Sequence, residues 1–587
     1  MIRKTITHLW RFISSLQQIV ANTLLLLLLA AIITSLSMLK PAVPDHAVLK
    51  LTIHGALSEQ IAQPSLAGLP FSLPDTSQTA TPDLVQALNH ARTDPRISGV
   101  WLDVSDMERA PLARITTVTD AIDRFRSSGK PVAIYGDSFS PSQYLIATAA
   151  DRITLHPTGL VALTSPAATR HYFKSTLDKL SISVELFRTG KYKSFAEPMT
   201  RNNMSAAARD ATQQWLTQWW QQIKQRLASR RHIAPKRLQQ LLDDPQQMVQ
   251  QSQGDFASFA LNEGVVDALD DRVGAQRAFN QQLHSSTPLP QIDINDYLLA
   301  TEAIETPKNG VAIGIIRASG EIVPGEHPAS VIGGDSLAKL IDKAANNSAI
   351  DAVVLRIDSP GGSATAAETI HKSLLRLKKA GKPLVVSMGG IAASGGYWIA
   401  SAADEIWAQP ATLTGSIGVF AMVPDISRAM QRLGIQIDSV NTSALTNIRP
   451  DRPLDAAQKA LLQSGVEFIY RSFLQRVATG RGLPLTTVEK IAEGRVWSGI
   501  DAQRLGLVDN LGDLPQAVHA AAKRAGSPEL YHTVELRERG DIWQRLSSQL
   551  LSATATLLPP ELRTLLHQLH TLTTLHDPRG IYAYTML

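Results

Sequence analysis

The chain repeats itself once over a long distance. ISGVWLDV (Ile97–Val104) reads like IDAVVLRI (Ile350–Ile357), and YLIATAADRI (Tyr144–Ile153) like YWIASAADEI (Tyr397–Ile406); both pairs stand 253 residues apart. Between them GKPVAIY from Gly129 matches GKPLVVS from Gly381, 252 residues on. Earlier, LTIHGALSE from Leu51 echoes IGIIRASGEI from Ile313; later, Ser205–Leu227 echoes Asp455–Val477, and EGVVD (Glu263–Asp267) echoes LGLVD (Leu505–Asp509). The period is far too long for a solenoid repeat, so whole domains are duplicated. Each copy alternates short β-branched runs with amphipathic stretches. DAVVLRI and PLVVSM are apolar enough to be strands buried on both faces. AAETIHKSLLRLKKAGK reads as a helix with Ile370, Leu374, Leu375 and Leu377 toward the core and a stop at Gly381. Strands alternating with helices predict an α/β fold, two tandem βαβ domains with mostly parallel sheets.

The predicted organisation has four parts. Residues 1–45 hold a cytoplasmic N-terminus and a membrane anchor, 46–305 the first domain, 306–527 the second, and 528–587 a helical tail. Val20–Leu39 carries no charge, and at 1.5 Å per residue its twenty residues span the roughly 30 Å hydrocarbon layer of a bilayer. Arg3, Lys4 and Arg11 precede it, which orients the N-terminus to the cytoplasm and the rest of the chain across the membrane. A cleaved signal peptide is the rival reading, and SLSML offers it a poor cleavage site. Ser286–Gly310 is the predicted linker. The tail, with DIWQRLSSQLL and PELRTLLHQLHTL, is read as helical, without a counterpart in the first copy and with a packing or oligomer role.

Composition excludes several chemistries. The 587 residues include no cysteine, so there is no disulfide, no thiolate metal site and no cysteine nucleophile. Lys and Arg (57) nearly balance Asp and Glu (52), which is not the polybasic footprint of a nucleic-acid binder. No HExxH or clustered Asp/His pattern provides a metal-activated water, and no cofactor motif is present.

The two copies differ where chemistry would sit. SPGGS (Ser359–Ser363) falls opposite DMERA (Asp106–Ala110), so only the second copy has two glycines after a strand, able to turn tightly and aim an N–H into a cleft. An ordinary Pro-Gly turn explains the same residues. Ser394, in MGGIAASGGYW, falls opposite Pro141 within GDSFSPSQY, where a one-residue slip would pair Ser142. A serine at a small-residue strand-to-helix turn is exposed to a substrate carbonyl, with the N–H of Gly395 and of Gly362 placed to hold an oxyanion. The bland alternative is a helix N-cap. His371, mid-helix after the glycine turn, is read as a surface or helix-face residue. That leaves lysine as base, which works only when neutral, and apolar burial favours the neutral form. Lys191 and Lys193 in ELFRTGKYKSFAEPM both qualify, and Thr446 stands opposite Lys193. Two solvated lysines at a strand end remain the commoner explanation of such a pair.

IDSPGGS, SMGGIAASGGYWIASAADEIWAQPATLTGSIGV and GKYKS, combined with the duplication, resemble the signal peptide peptidase A (protease IV) family in its long, duplicated Gram-negative form. In outline the SPGG and ASGGY pair is shared with Clp proteases and crotonases. The resemblance implies Clp/crotonase-like domains and a serine endopeptidase with a Ser/Lys dyad. On the matching positions, Ser394 is the nucleophile, Lys193 the general base, Ser416 the serine that orients the lysine, and Gly362 and Gly395 the oxyanion donors. Clp proteases carry their histidine just before a Gln-Pro pair; here Ala408 precedes Gln409 and Pro410, which fits a lysine base. The resemblance also implies cleaved signal peptides and other apolar or unfolded peptides as substrates, a site on the periplasmic face of the inner membrane, and a homotetramer. A crotonase-like acyl-thioester enzyme and an inactive membrane scaffold are the competing readings.

Overall fold

The computed structural model describes residues 41–60, 78–301, 309–328, 331–443, 447–537, 577 and 580–585, with five isolated positions before residue 41. The expected anchor at 20–39 therefore lies almost wholly outside the described residues. Among the described residues no helix is long and apolar enough to cross a membrane.

Each copy builds a parallel sheet of the same order. In the first, the strands run Ala268–Leu269, Arg152–Leu155, Val132–Gly136, Ile97–Asp103, Ala47–Thr52 and Gln291–Asp293 from edge to edge. In the second, Asn510–Leu511, Glu405–Ala408, Leu384–Ala393, Ala352–Ser359, Val311–Ser319 and Tyr531–Leu536 follow the same path. The apolar runs go to the middle because helices cover both faces: Ala352–Ser359 is buried at every position. One face of each sheet carries the larger core and the other a smaller one, closed by the helix Arg272–Gln282 in the first copy and Leu514–Arg524 in the second.

The duplication extends to individual hydrogen bonds. The Tyr144 hydroxyl donates to the Val265 carbonyl at 2.8 Å, and the Tyr397 hydroxyl to the Leu507 carbonyl at 2.8 Å. Asp267 and Asp509 each accept from a strand amide, of Ile153 and Ile406, at 2.7 Å. The buried tyrosine hydroxyls and strand amides find the same partners in both copies because each must be satisfied.

Several expectations change. The helix Ala364–Lys379 buries Ile370, Leu374 and Leu377, but Leu375 is exposed. It follows Leu374 by one residue, about 100° around the helix, which takes it off the buried stripe. His371 is buried rather than on the surface, and burial lowers its pKa to about 4. The predicted linker contains a sheet strand, Gln291–Asp293, and a helix, Ile294–Thr301, that belong to the first domain. Tyr531–Leu536 is an edge strand and not part of a helical tail, and its counterpart is Gln291–Asp293. The tail's expected helices lie outside the described residues, whereas Tyr582–Tyr584 is a strand.

The halves exchange elements. The helix Ala206–Arg231 of the first reaches into the second, where Trp219 Nε1 donates to the Ala411 carbonyl at 2.9 Å and Gln214 and Gln218 donate to Asp501 at 2.7 Å. The first-half strand Ser183–Thr189 pairs antiparallel along the whole of Val419–Asp425 of the second. This pairing extends a third sheet, ordered Ile332–Gly333, Ile322–Val323, Gly361–Ser363, Tyr582–Tyr584, Val419–Asp425, Ser183–Thr189.

Candidate active site

The cross-half strand pairing carries a lysine to a serine. After Thr189, which pairs with Val419, the chain turns at Gly190 (φ +105°), where a methyl group would lie 2.5 Å from the Glu493 carbonyl. Only glycine fits there. The turn leaves Lys193 with 2% of its surface exposed. Its Nζ lies 2.6 Å from Ser394 Oγ, 3.0 Å from Ser416 Oγ and 3.1 Å from the Ser416 carbonyl oxygen. Burial pushes the Lys193 ammonium well below the ordinary lysine range, because a charged amine loses its hydration there. Lys191, the other candidate, points outward and forms an ion pair with Glu493 at 3.1 Å. That hydrogen bond raises its pKa, so it stays charged.

Ser394 stands between the end of the strand Leu384–Ala393 and the helix Gly395–Ala400. Its backbone is held at φ +57° and ψ −114° by its own N–H, which donates to the Gly415 carbonyl at 2.8 Å. Its side chain makes no cap bond to the helix, which removes the N-cap explanation. The first copy supplies the contrast. Ser140 starts the equivalent helix with a full capping box, its amide donating to Gln143 Oε1 at 2.8 Å. The neighbouring Ser142 is buried in that helix. Ser416 also has a positive φ, +49°, and its amide donates to the Arg495 carbonyl at 2.7 Å.

Two serines in left-handed conformations within one site store backbone strain, about 1–3 kcal/mol each. The Ser394→Gly chain is therefore expected to be more stable than the Ser394→Ala chain by about 1 kcal/mol, since both lack the hydroxyl and only glycine relaxes at this φ. Thermal unfolding of the two variants measures it; equal midpoints would mean that the conformation carries no strain.

The glycine pair completes the arrangement. Gly361 has φ +101° and donates its N–H to Ser359 Oγ at 3.1 Å, which turns the next residue toward the serine. A methyl group on Gly362 would lie 2.0 Å from the Ile322 carbonyl oxygen, and one on Gly395 3.2 Å from the Gly362 nitrogen. Gly362 and Gly395 thus face each other across a space too narrow for side chains. Thr446 lies outside the described residues, and Ala408 is buried at the end of the strand Glu405–Ala408.

Sequence reading missed the loop Glu493–Arg495. The Glu493 carbonyl accepts from the Tyr192 amide at 2.9 Å, and the Gly494 amide donates to the Ile417 carbonyl at 2.8 Å. A methyl group on Gly494 would meet the Lys193 nitrogen at 2.7 Å. One loop therefore clamps both the lysine turn and the Ser416 turn. Its glycine follows the helix Leu485–Ile491 and reads as an ordinary helix stop.

Comparison with known proteins agrees with the duplication. Peptidase family S49 matches residues 124–281 and again 376–527. The chain is 36% identical over 490 residues to Protease 4 of Salmonella typhi, covering 82% of this chain and 78% of that one. It is 35% identical over 524 residues to Protease 4 of Haemophilus influenzae, covering 86% and 85%. Serine protease SPPA, chloroplastic, of Arabidopsis thaliana is 26% identical over 492 residues, covering 82% and 69%.

Proposed function

From the chain's membership of peptidase family S49, and hence its being a serine protease, we propose that Ser394 is its nucleophile and Lys193 its general base. The observation that carries this reading is the 2.6 Å contact between Lys193 Nζ and Ser394 Oγ in a buried site. A neutral amine has two N–H groups and one lone pair. The two N–H groups suit the Ser416 carbonyl and hydroxyl oxygens at 3.1 and 3.0 Å, which leaves the lone pair for the Ser394 proton. Ser416 is in this reading a positioning residue.

Ser394 Oγ attacks the scissile carbonyl carbon as its proton passes to Lys193 Nζ. The N–H groups of Gly362 and Gly395 hold the carbonyl oxygen as it becomes negative, each supplying about 2.7–4 kcal/mol in the transition state. Lys193 returns the proton to the departing amine. Water then adds to the acyl-enzyme, giving its proton to Lys193, and Ser394 recovers its own when the C–O bond breaks. The substrates are apolar or unfolded peptides, cleaved signal peptides among them. They suit a chain whose residues 20–39 anchor it in a membrane with the catalytic halves on the far, periplasmic side. A homotetramer would shield folded proteins from the sites.

Hydrolysis of casein and of an apolar peptide ester by the wild-type and Ser394→Ala chains tests this. Both substrates should be cut by the first and neither by the second. Peptide turnover surviving in Ser394→Ala, or a wild type that turns over only acyl-thioesters, would contradict it.

A further inference from the structure

The strand pairing that joins the halves stops short of the lysine, with Thr189 against Val419 as its last pair. Within the first half, Arg188 donates to the Lys193 carbonyl at 3.1 Å, which fixes the shape of the turn itself. The turn meets the second half at the loop Glu493–Arg495, and there the Arg495 side chain takes hold of it. The Arg495 guanidinium lies against the ring of Tyr192, the residue directly before Lys193, with 4.6 Å to the ring centroid. It also lies against the Trp497 ring at 4.8 Å. Its Nη1 pairs with Asp210 at 3.0 Å and its Nη2 donates to Gln214 Oε1, both on the first-half helix Ala206–Arg231. Its Nε is buried without an acceptor among the described residues, so the aromatic faces are what remains to stabilise it. A planar cation suits such faces, which carry negative charge density.

The main chain of the same residue supports the two serines. The Arg495 carbonyl accepts from the Ser416 amide at 2.7 Å, at the position where Ser416 has its positive φ. Val496, the next residue, pairs antiparallel with Gly415, whose carbonyl accepts from the Ser394 amide at 2.8 Å. Trp497 is itself held, its indole Nε1 donating to the Ile491 carbonyl at 2.9 Å. The supports of Lys193, Ser416 and Ser394 thus meet at one residue. We propose that Arg495 is a positioning residue that sets the separation of Lys193 from Ser394, docking the first half's lysine turn through Tyr192 onto the serine turns of the second half. This rests on Lys193 being the base for Ser394, as in the proposed function.

The Arg495 side chain makes no hydrogen bond to Lys193, Ser394 or Ser416, so its effect on the reaction passes through the Tyr192 ring. The tolerance is small. Amine and hydroxyl stand 2.6 Å apart, and misplacing a reacting group by about 1 Å costs about 10²-fold in rate. A change confined to that separation falls on kcat and leaves KM alone. The helix Ala206–Arg231 enters the same linkage: Gln214 accepts from Arg495 with one end of its amide and donates to Asp501 at 2.7 Å with the other. A displacement of that helix against the second half therefore reaches the lysine turn through one guanidinium.

The test is turnover of an apolar peptide ester by the full-length chain. Arg495→Ala and Tyr192→Leu should each lower kcat about 10²-fold with KM within about two-fold of wild type. Tyr192→Phe, which keeps the ring, should restore most of what Tyr192→Leu loses. The double variant Arg495→Ala, Tyr192→Leu should be no slower than either single one, because both break one contact. In a Lys193→Ala chain, Arg495→Ala should cost nothing further, since there is no amine left to place. Should Arg495→Ala fail to fold, the Tyr192→Leu and Tyr192→Phe pair decides alone. An unchanged kcat in Tyr192→Leu, a Tyr192→Phe chain as slow as Tyr192→Leu, or losses that multiply in the double variant would overturn the proposal. Full turnover in Lys193→Ala would instead remove the assignment of the base on which it rests.

Discussion

Replacing Lys193 with alanine is expected to lower kcat for an apolar peptide ester by at least about 10⁴-fold, with the chain still folded and KM little changed. The loss is large because Ser394 would keep its proton: its hydroxyl has no other base within the contacts that hold it, and a hydroxyl near its ordinary pKa is a weak nucleophile. Lys191→Ala is the control. Lys191 is exposed and paired with Glu493, and its loss should leave turnover near the wild-type value. The wild-type pH profile follows from the direction of the lysine shift. The active form is the neutral amine, and burial depresses the Lys193 pKa, so kcat/KM should rise with pH through an apparent pKa below the ordinary lysine value of 10.5. Below that pKa the ammonium dominates and the serine is not activated.

The second large effect concerns the ionic cluster between the halves, just behind the glycine turn. Glu59 of the first half is 4% exposed and meets two second-half guanidinium groups, Arg356 at 2.5 Å and Arg317 at 3.2 Å. Arg356 also meets Asp513 at 2.7 Å, and Arg114 of the first half meets Asp358 at 2.5 Å. Asp358 in turn accepts from the Ile391 amide at 3.1 Å, so the cluster braces both the SPGG strand and the strand that ends at Ser394. Burial alone would raise the Glu59 pKa, but Arg356, Arg317 and Arg114 outweigh it and hold it at about 2. Glu59→Ala would leave the buried Arg356 with Asp513 alone and Arg317 with Glu535 alone, weakening the compensation of both, at a cost of up to about 3–5 kcal/mol, read as a fall in Tm of several degrees. The sign with pH follows. A depressed carboxylate pKa stabilises the fold above its ordinary value of 4.5, and that contribution is lost as pH falls toward about 2. The stability gap between wild type and Glu59→Ala should therefore be full at neutral pH and narrow on acidification. A gap independent of pH would mean that Glu59 acts through packing and not charge.

The fold was legible where local pattern and tertiary context agree. The buried strands Ala352–Ser359 and Leu384–Ala393 are continuous apolar runs, and their partners in the first copy mark the same elements again. The glycine turn and Ser394 were legible for a different reason: the first copy lacks them, so they stand out against a scaffold that needs neither. Lys193 was harder to read, because its burial depends on Ser183–Thr189 pairing with a strand more than two hundred residues away. No local signal separates it from Lys191, two positions earlier and exposed; only the family resemblance did so. His371 reads as a surface residue by type, yet the helix Ala364–Lys379 turns it inward beside Ile370. Tyr582–Tyr584 is three residues long and exists as a strand only through the edges on either side of it, so neither period nor propensity reveals it. The clamp at Gly494 was hidden for the same reason, since its role is set by what packs on it.

The most direct test of the central claim is the rate at which a fluorophosphonate labels Ser394, followed against pH in wild type and in Lys193→Met. Wild-type labelling should be confined to Ser394 and rise with pH through a single ionisation below the ordinary lysine range. Lys193→Met should label at least about 10³-fold more slowly, without that ionisation. Equal labelling of the two chains, or a wild-type profile unaltered by removing the amine, would contradict a serine activated by the lysine of the other half.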